Sequence, residues 1–324
     1  MTEPIREQFY EETMENVVEP YLRARKAEKF LCRQPGEQLH VLLYKTTEKP
    51  KGVVLVSHGF TENIEKYKEF IYYLLQSGYH ICFPEHCGHG RSYRLTEDLS
   101  LVHVDSWQRY VSDLLFVARR LKHALPHLPL YLYGHSMGGG IAAASAAAAP
   151  ELFEKLALSS PMIRPLTAPV PWRSARKIAA HFCHVGQSTR YVVGQQPYGK
   201  PEAFEESCGT SRARFEYYQA KRKSEPLYRL SAPSYGWLRA ADQLNRYLQY
   251  RGYQKIQMPV LLFQAEDERL VSKEEQDRFI RKIRRSGNES AVLIRVPHTK
   301  HEMINNSNTK TIRAYLNHLT DFFS

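Results

Sequence analysis

Gly134-His135-Ser136-Met137-Gly138 lies between an apolar run, Leu130 to Tyr133, and a helix-forming run of small residues, Gly138 to Ala148. A chain that turns from strand to helix this tightly has little conformational choice. The reversal forces the serine into a strained backbone geometry. Any Cβ at the flanking positions would clash with the neighbouring strand or helix, hence the two glycines. Ser136 Oγ is thereby held out at the C-terminal end of its strand.

The rest of the chain repeats this strand-then-helix order. Short apolar or β-branched runs at Val53 to Val56, His80 to Phe83, Leu130 to Tyr133, Leu156 to Leu158, Val260 to Phe263 and Ala291 to Val296 read as buried strands. Between them, apolar residues recur at three- and four-residue steps over Tyr67 to Gln76, Trp107 to Ala124, Gly138 to Ala148, Glu274 to Arg285 and Thr309 to Phe323, the mark of helices with one buried face. Asp105 and Gln108 suit a capping box at the start of the second helix. Alternation of this kind predicts an α/β fold with a doubly wound, mostly parallel sheet. Leu39 to Tyr44 is expected as an antiparallel edge strand, because only a short turn joins it to the strand at Val53.

Charge divides the chain. Of a net +11, +10 falls in residues 162–255, which also hold 14 of the 38 aromatic residues and seven prolines. This segment reads as a separate basic, aromatic-rich module between residues 1–161 and 256–324. The longest small-apolar run, Ile141 to Ala149, is far below the roughly 20 residues that cross a bilayer. The start, Met1-Thr2-Glu3-Pro4, has no apolar signal region, and the five cysteines show no C-x-x-C pair. A cytoplasmic location is the expectation.

A serine hydroxyl is a weak nucleophile and needs a base in reach, itself oriented by an acid. Val260 to Gln264 runs into Ala265-Glu266-Asp267-Glu268, and a carboxylate at a strand's C-terminal tip suits the orienting role; Asp267 and Glu268 compete for it. Ala291 to Val296 runs into Pro297-His298-Thr299-Lys300-His301, which offers two histidines as base. Acyl transfer to Ser136 also develops an oxyanion, for which the N–H groups of Met137 and of Phe60, in the loop His58-Gly59-Phe60-Thr61, are candidate donors. His58 is assigned a loop-positioning hydrogen bond. This chemistry needs neither cofactor nor metal.

Ser57-His58-Gly59-Phe60, Glu85-His86-Cys87-Gly88-His89-Gly90-Arg91-Ser92 and Gly134-His135-Ser136-Met137-Gly138-Gly139 resemble, in order and spacing, three blocks of the monoacylglycerol lipase and bacterial lysophospholipase group of α/β-hydrolases. Thr210 to Phe215, Ala232 to Trp237 and Gln264 to Val271 are similar to the bacterial lysophospholipases that act at the inner membrane. The resemblance implies an α/β-hydrolase fold with a lid, and a triad in which Ser136 is nucleophile and His301 is base. It puts the acid at Glu268, two residues before Leu270-Val271, with Asp267 one residue out of register. Glu268 stands where many relatives have Asp, and Glu85 and Cys87 depart from the usual Asp and Arg in a turn read as structural.

By the same resemblance residues 162–255 are a cap inserted between two parts of the hydrolase core, 1–161 and 256–324, which covers the serine and selects the acyl substrate. Its aromatic residues suit an acyl chain and its Arg and Lys a phosphate headgroup, with Arg212 and Arg214 as candidates. Arg212, Arg214, Lys221, Arg222 and Lys223 also form an expected basic face for anionic membranes, placing the protein peripherally on the inner membrane. The expected substrate is a lysophospholipid, or a monoacylglycerol or simple carboxylic ester on the same triad. The contrasting class is a catalytically inactive basic protein that binds membrane or nucleic acid. The intact Ser136, His301 and acid argue against it, and no nucleic-acid partner is expected.

Overall fold

The computed structural model describes residues 3–324. Eight strands form one sheet: β1 (Lys26–Cys32), β2 (Gln38–Tyr44), β3 (Gly52–Ser57), β4 (Tyr79–Pro84), β5 (Leu130–His135), β6 (Lys155–Ser159), β7 (Val260–Asp267) and β8 (Ala291–Lys300). Their order across the sheet is β1-β2-β4-β3-β5-β6-β7-β8, parallel from β4 to β8 and antiparallel at the β1 end. All six expected strands are present, each running one to four residues further than its apolar run.

β2 differs from expectation in one respect. It is antiparallel, but it pairs with β4 rather than β3, and β1 covers its other side. β1, Lys-Ala-Glu-Lys-Phe-Leu-Cys, is almost wholly exposed and so carries none of the apolar signal that marks a strand. Its charged edge protects the sheet from pairing with another chain.

The main helices are α1 (Lys68–Gln76), α2 (Trp107–Ala124), α3 (Met137–Ala148), α4 (Trp172–His184), α5 (Arg212–Ser224), α6 (Tyr235–Tyr250), α7 (Lys273–Arg285) and α8 (Thr309–Phe323). Side chains alternate across the strands: Val53, Leu55, Leu130 and Leu132 join one apolar cluster with α2, α3, α6 and α7. Val54, Val56, Tyr131 and Tyr133 join the other with α1, α8 and an N-terminal helical run through Met14, Val18 and Leu22. The period-2 pattern thus feeds two helical layers at once. At α2 the cap is Ser106, whose Oγ accepts from the Gln108 N–H; the expected cap, Asp105, instead holds Arg109.

The segment 162–255 divides in two. Residues up to about Ser234 form α4, α5 and their loops, whereas α6 packs against α3 in the core layer. Tyr235, Leu238, Ala241, Leu244 and Leu248 of α6 are buried at the three- and four-residue spacing of a core helix.

Candidate active site

The Ser136 turn is strained in the expected way. Ser136 has φ 53° and ψ −122°, a region that L-residues rarely adopt, and it follows β5 and opens α3. A Cβ on Gly138 would lie 2.1 Å from the Ser57 oxygen and one on Gly134 2.6 Å from the Gly138 oxygen. Both glycines are therefore steric requirements of β3 and α3 approaching the turn. Hydrogen bonds from Ser136 N–H to the Ser159 carbonyl and from Met162 N–H to the Ser136 carbonyl fix it from both sides.

His301, beyond the end of β8, is 3% exposed, and its Nδ1 donates to both Glu268 oxygens at 2.9 and 2.8 Å. Glu268 Oε1 also accepts from the N–H groups of Leu270 and Val271. Burial raises this carboxyl, but the His301 contact and the two backbone donors outweigh it, and its pKa lies below the usual value. Asp267, next along β7, points out and holds Arg269 at 2.9 Å. Of the two competing carboxylates only Glu268 meets the histidine. His298 is out of the site, exposed, with its N–H on Glu266 and a positive φ of 55°.

His301 Nε2 is buried and has no hydrogen-bond partner among the described residues. It lines, with Ser136, a cavity of about 280 Å³ roofed by α5 and its flanking loops. The geometry leaves one ring nitrogen fixed by a carboxylate and the other open toward the serine's cavity, which is what a base for Ser136 requires.

Met137 is the first residue of α3, so its N–H has no acceptor within the helix. The Phe60 N–H, on the loop after β3, makes no hydrogen bond with the described residues. Trp237 ties the two together: its ring packs on Phe60 at 4.6 Å and its Nε1 reaches Met137 Sδ. His58 plays the positioning part expected of it, with Nδ1 donating to the Gly59 carbonyl and Nε2 accepting from the His86 N–H. In the turn after β4, Glu85 accepts from His40 and from the Arg91 N–H.

The cavity's charged wall escaped the sequence reading. Glu62 accepts from the Gly59 N–H and the Tyr67 hydroxyl. Burial works to raise its carboxyl, yet Lys66 and its other partners hold the pKa at about 2. Lys66 also pairs with Glu302, the residue after His301. The only signal in sequence was position: Glu62 three residues after Gly59, Glu302 beside His301.

Arg214 and Arg212 do not behave alike. Arg214 lines the cavity, but its guanidinium is spent on a bidentate pair with Glu69 of α1, at 2.6 and 2.8 Å, and on the Ile5 carbonyl. Arg212 is exposed over Phe204 and pairs with Glu205 and Glu216. Arg222 is likewise buried, donating to the Leu230 carbonyl. The expected basic face of α5 is thus broken, since two of its five members point inward.

Sheet order, strained serine and carboxylate-held histidine together define an α/β-hydrolase. The chain belongs to the family described as serine aminopeptidase, S33, whose model matches residues 48–308. It is 29% identical over 228 residues to lysophospholipase L2 of Escherichia coli, covering 70% of this chain and 66% of that protein. Over 133 residues it is 34% identical to human monoglyceride lipase, 41% of this chain and 42% of that one. Among solved structures, a monoglyceride lipase from Saccharomyces cerevisiae superposes with a TM-score of 0.73 at 19% identity, covering 93% of this chain and 95% of that one. A carboxyl esterase from Bacillus coagulans gives 0.74 at 17%, covering 92% and 97%. These two likenesses speak to the fold.

Proposed function

We propose that the protein is a serine hydrolase that cleaves the acyl ester of lysophospholipids through an acyl-enzyme. His301 Nε2 takes the proton as Ser136 Oγ attacks the ester carbonyl, and the Phe60 and Met137 N–H groups receive the oxyanion. The leaving glycerol oxygen takes that proton from His301, and water, activated in the same way, releases the fatty acid. Glu268 keeps Nδ1 protonated and offsets the imidazolium charge. The observation that carries this reading is His301, held by both Glu268 oxygens with its other nitrogen open to the cavity of Ser136. Labelling of Ser136 by a fluorophosphonate, with hydrolysis of a lysophospholipid panel by wild type and not by Ser136→Ala, tests it. Unchanged turnover in the variant would overturn it.

One observation favours a monoacylglycerol as a second reading. Lys66 is shared by two glutamates and Arg214 is held by Glu69, so two of the three Lys and Arg side chains lining the cavity are already matched. A neutral glyceryl ester needs no such cation, and equal-chain comparison of the two substrates decides between them.

The reading extends to a peripheral place on the cytoplasmic face of an anionic membrane. Among the described residues no helix is long and apolar enough to cross one, and all five cysteines are free, as suits a reducing compartment. Supporting the contact is a groove of about 1070 Å³ between α2, α4, α6 and α7, lined by Arg173, Arg246, Arg251, Arg278 and Lys282 and by the exposed Tyr250. Arg164 lines the groove, and Leu166, two residues on, donates its N–H to the carbonyl of Leu270, which lines the cavity; both leucines are exposed. Cations beside exposed apolar and aromatic side chains fit a charged lipid surface.

A further inference from the structure

The cavity wall contains one ion pair that does not close. Arg222 Nη1 stands 3.9 Å from Glu202 Oε2, beyond hydrogen-bond distance, and both residues line the cavity that holds Ser136. The Glu202 carboxylate makes no hydrogen bond with any described residue, its side chain is 37% exposed, and it is one of the residues that line the cavity. Burial pushes its carboxyl above the ordinary value despite Lys66 and Arg222 nearby, so its anion stands to gain from another cation. Arg222 is fixed by the Leu230 and Tyr228 carbonyls through Nη2 and Nε, leaving Nη1 with only a long contact to Gln219 besides Glu202. The rings of Tyr198 and Tyr218 lie 5.1 and 5.9 Å from its guanidinium carbon.

The remaining charges in the wall set the balance. Lys66 answers Glu62 and Glu302 together, and Arg214 answers Glu69. The lining residues thus hold three acids, Glu62, Glu202 and Glu302, against three cations, Lys66, Arg214 and Arg222, and Glu69 behind Arg214 brings the group to one negative charge in excess. An anionic headgroup would enter against that excess. A headgroup that is itself a dipole can lie antiparallel to the open pair, its phosphate toward Arg222 Nη1 and its ammonium toward Glu202.

We propose that Arg222 and Glu202 form a receptor for a zwitterionic headgroup, so that among lysophospholipids the enzyme selects those carrying phosphate and ammonium over those carrying phosphate alone. This rests on the lysophospholipase reading and names its substrate class. Glu202 is the specificity-determining member; Arg222 also supports the chain at Tyr228 and Leu230 and is a poor target for substitution.

The test uses octanoyl esters below their micelle concentrations, so that no lipid surface intervenes: lysophosphatidylethanolamine, lysophosphatidylglycerol and monooctanoylglycerol, with p-nitrophenyl butyrate as a small ester. Wild type is expected to favour the ethanolamine lipid over the glycerol one by about tenfold in kcat/KM. Glu202→Gln should remove most of that preference through KM with kcat kept, leave monooctanoylglycerol and the small ester within about twofold, and melt as wild type does. Glu202→Lys should invert it. The proposal is overturned if the ethanolamine-to-glycerol ratio is the same in wild type and Glu202→Gln, or if turnover of all four esters falls in parallel. Hydrolysis of the two neutral esters with none of either lysophospholipid in wild type would instead remove the lysophospholipase reading on which it rests.

Discussion

At His301 the orienting carboxylate uses both oxygens on one nitrogen, while two backbone N–H groups hold Oε1 in place. An amide at this position keeps the shape but not the charge that offsets the imidazolium. Glu268→Gln should therefore lower kcat by roughly 10³ to 10⁴, whereas Asp267→Asn, on an outward pair with Arg269, should stay within about twofold. Parallel kinetics of the two variants on one soluble ester make the comparison, and equal losses would remove Glu268 from the triad. Glu62 gives a pH signature of its own. Its folded pKa of about 2 lies below that of a free carboxyl, so between about pH 4.5 and 2 the unfolded chain binds the extra proton. Its contribution to stability is complete above that window and is lost as pH falls through it. Thermal melts from pH 6 to 2 should show a shallower acid limb for Glu62→Gln than for wild type; identical slopes would mean that Glu62 titrates normally.

Two helices carry the elements' share of the design. α3 can start at Ser136 only because β3 passes within reach of Gly138. Gly138→Ala would place a methyl 2.1 Å from a backbone oxygen that cannot move alone, and it should cost several kcal/mol and perturb the proposed oxyanion donors Met137 and Phe60. α5, the helix that roofs the cavity, is pinned by Arg214, which bridges it to Glu69 on α1 and to Ile5 of the N-terminal segment. Arg214→Ala would leave Glu69 buried with an uncompensated charge, a loss of about 3–5 kcal/mol. Denaturant unfolding should show this drop, and the residual folded enzyme should keep its headgroup ratio. A changed ratio with unchanged stability would return Arg214 to the role of a headgroup ligand.

On the scale of the whole molecule the positive charge is placed asymmetrically. Arg214 and Arg222 of α5 turn inward, and Lys221 faces Glu19, while Arg173, Arg246 and Arg251 in the groove stay exposed. Reversing these three to Glu should release the protein from vesicles containing an anionic lipid at low salt. Reversing Arg212 and Lys223 should release far less. Because such attraction is screened within a Debye length of about 10 Å at 0.1 M salt, wild-type binding should weaken steeply as ionic strength rises. Co-sedimentation with anionic and neutral vesicles across a salt series measures both effects. Binding unaffected by the groove reversals would remove the membrane role from this surface.

Local pattern was enough to place six strands of the sheet, the helices between them and the Ser136 turn, because burial imposes a period and a strand-to-helix reversal demands glycine; β8, expected to be buried, instead closes the far edge of the sheet and is mostly not buried. Contacts distant in sequence were beyond it. β1 has no apolar face to announce it, so β2 read as an edge. α6 shares the cap's basic composition but carries a core helix's buried spacing, and composition alone merged the two. A histidine next to a glutamate, 33 residues from Glu268, has no periodicity to link the two carboxylate candidates to one ring; only the meeting of β7 and β8 brings Glu268 there and turns Asp267 away. Charge was misread for the same reason. Sequence counts cations, but whether an arginine faces solvent, a carboxylate or a cavity depends on what the fold packs against it, as Glu69 against Arg214 and Glu202 beside Arg222 make plain.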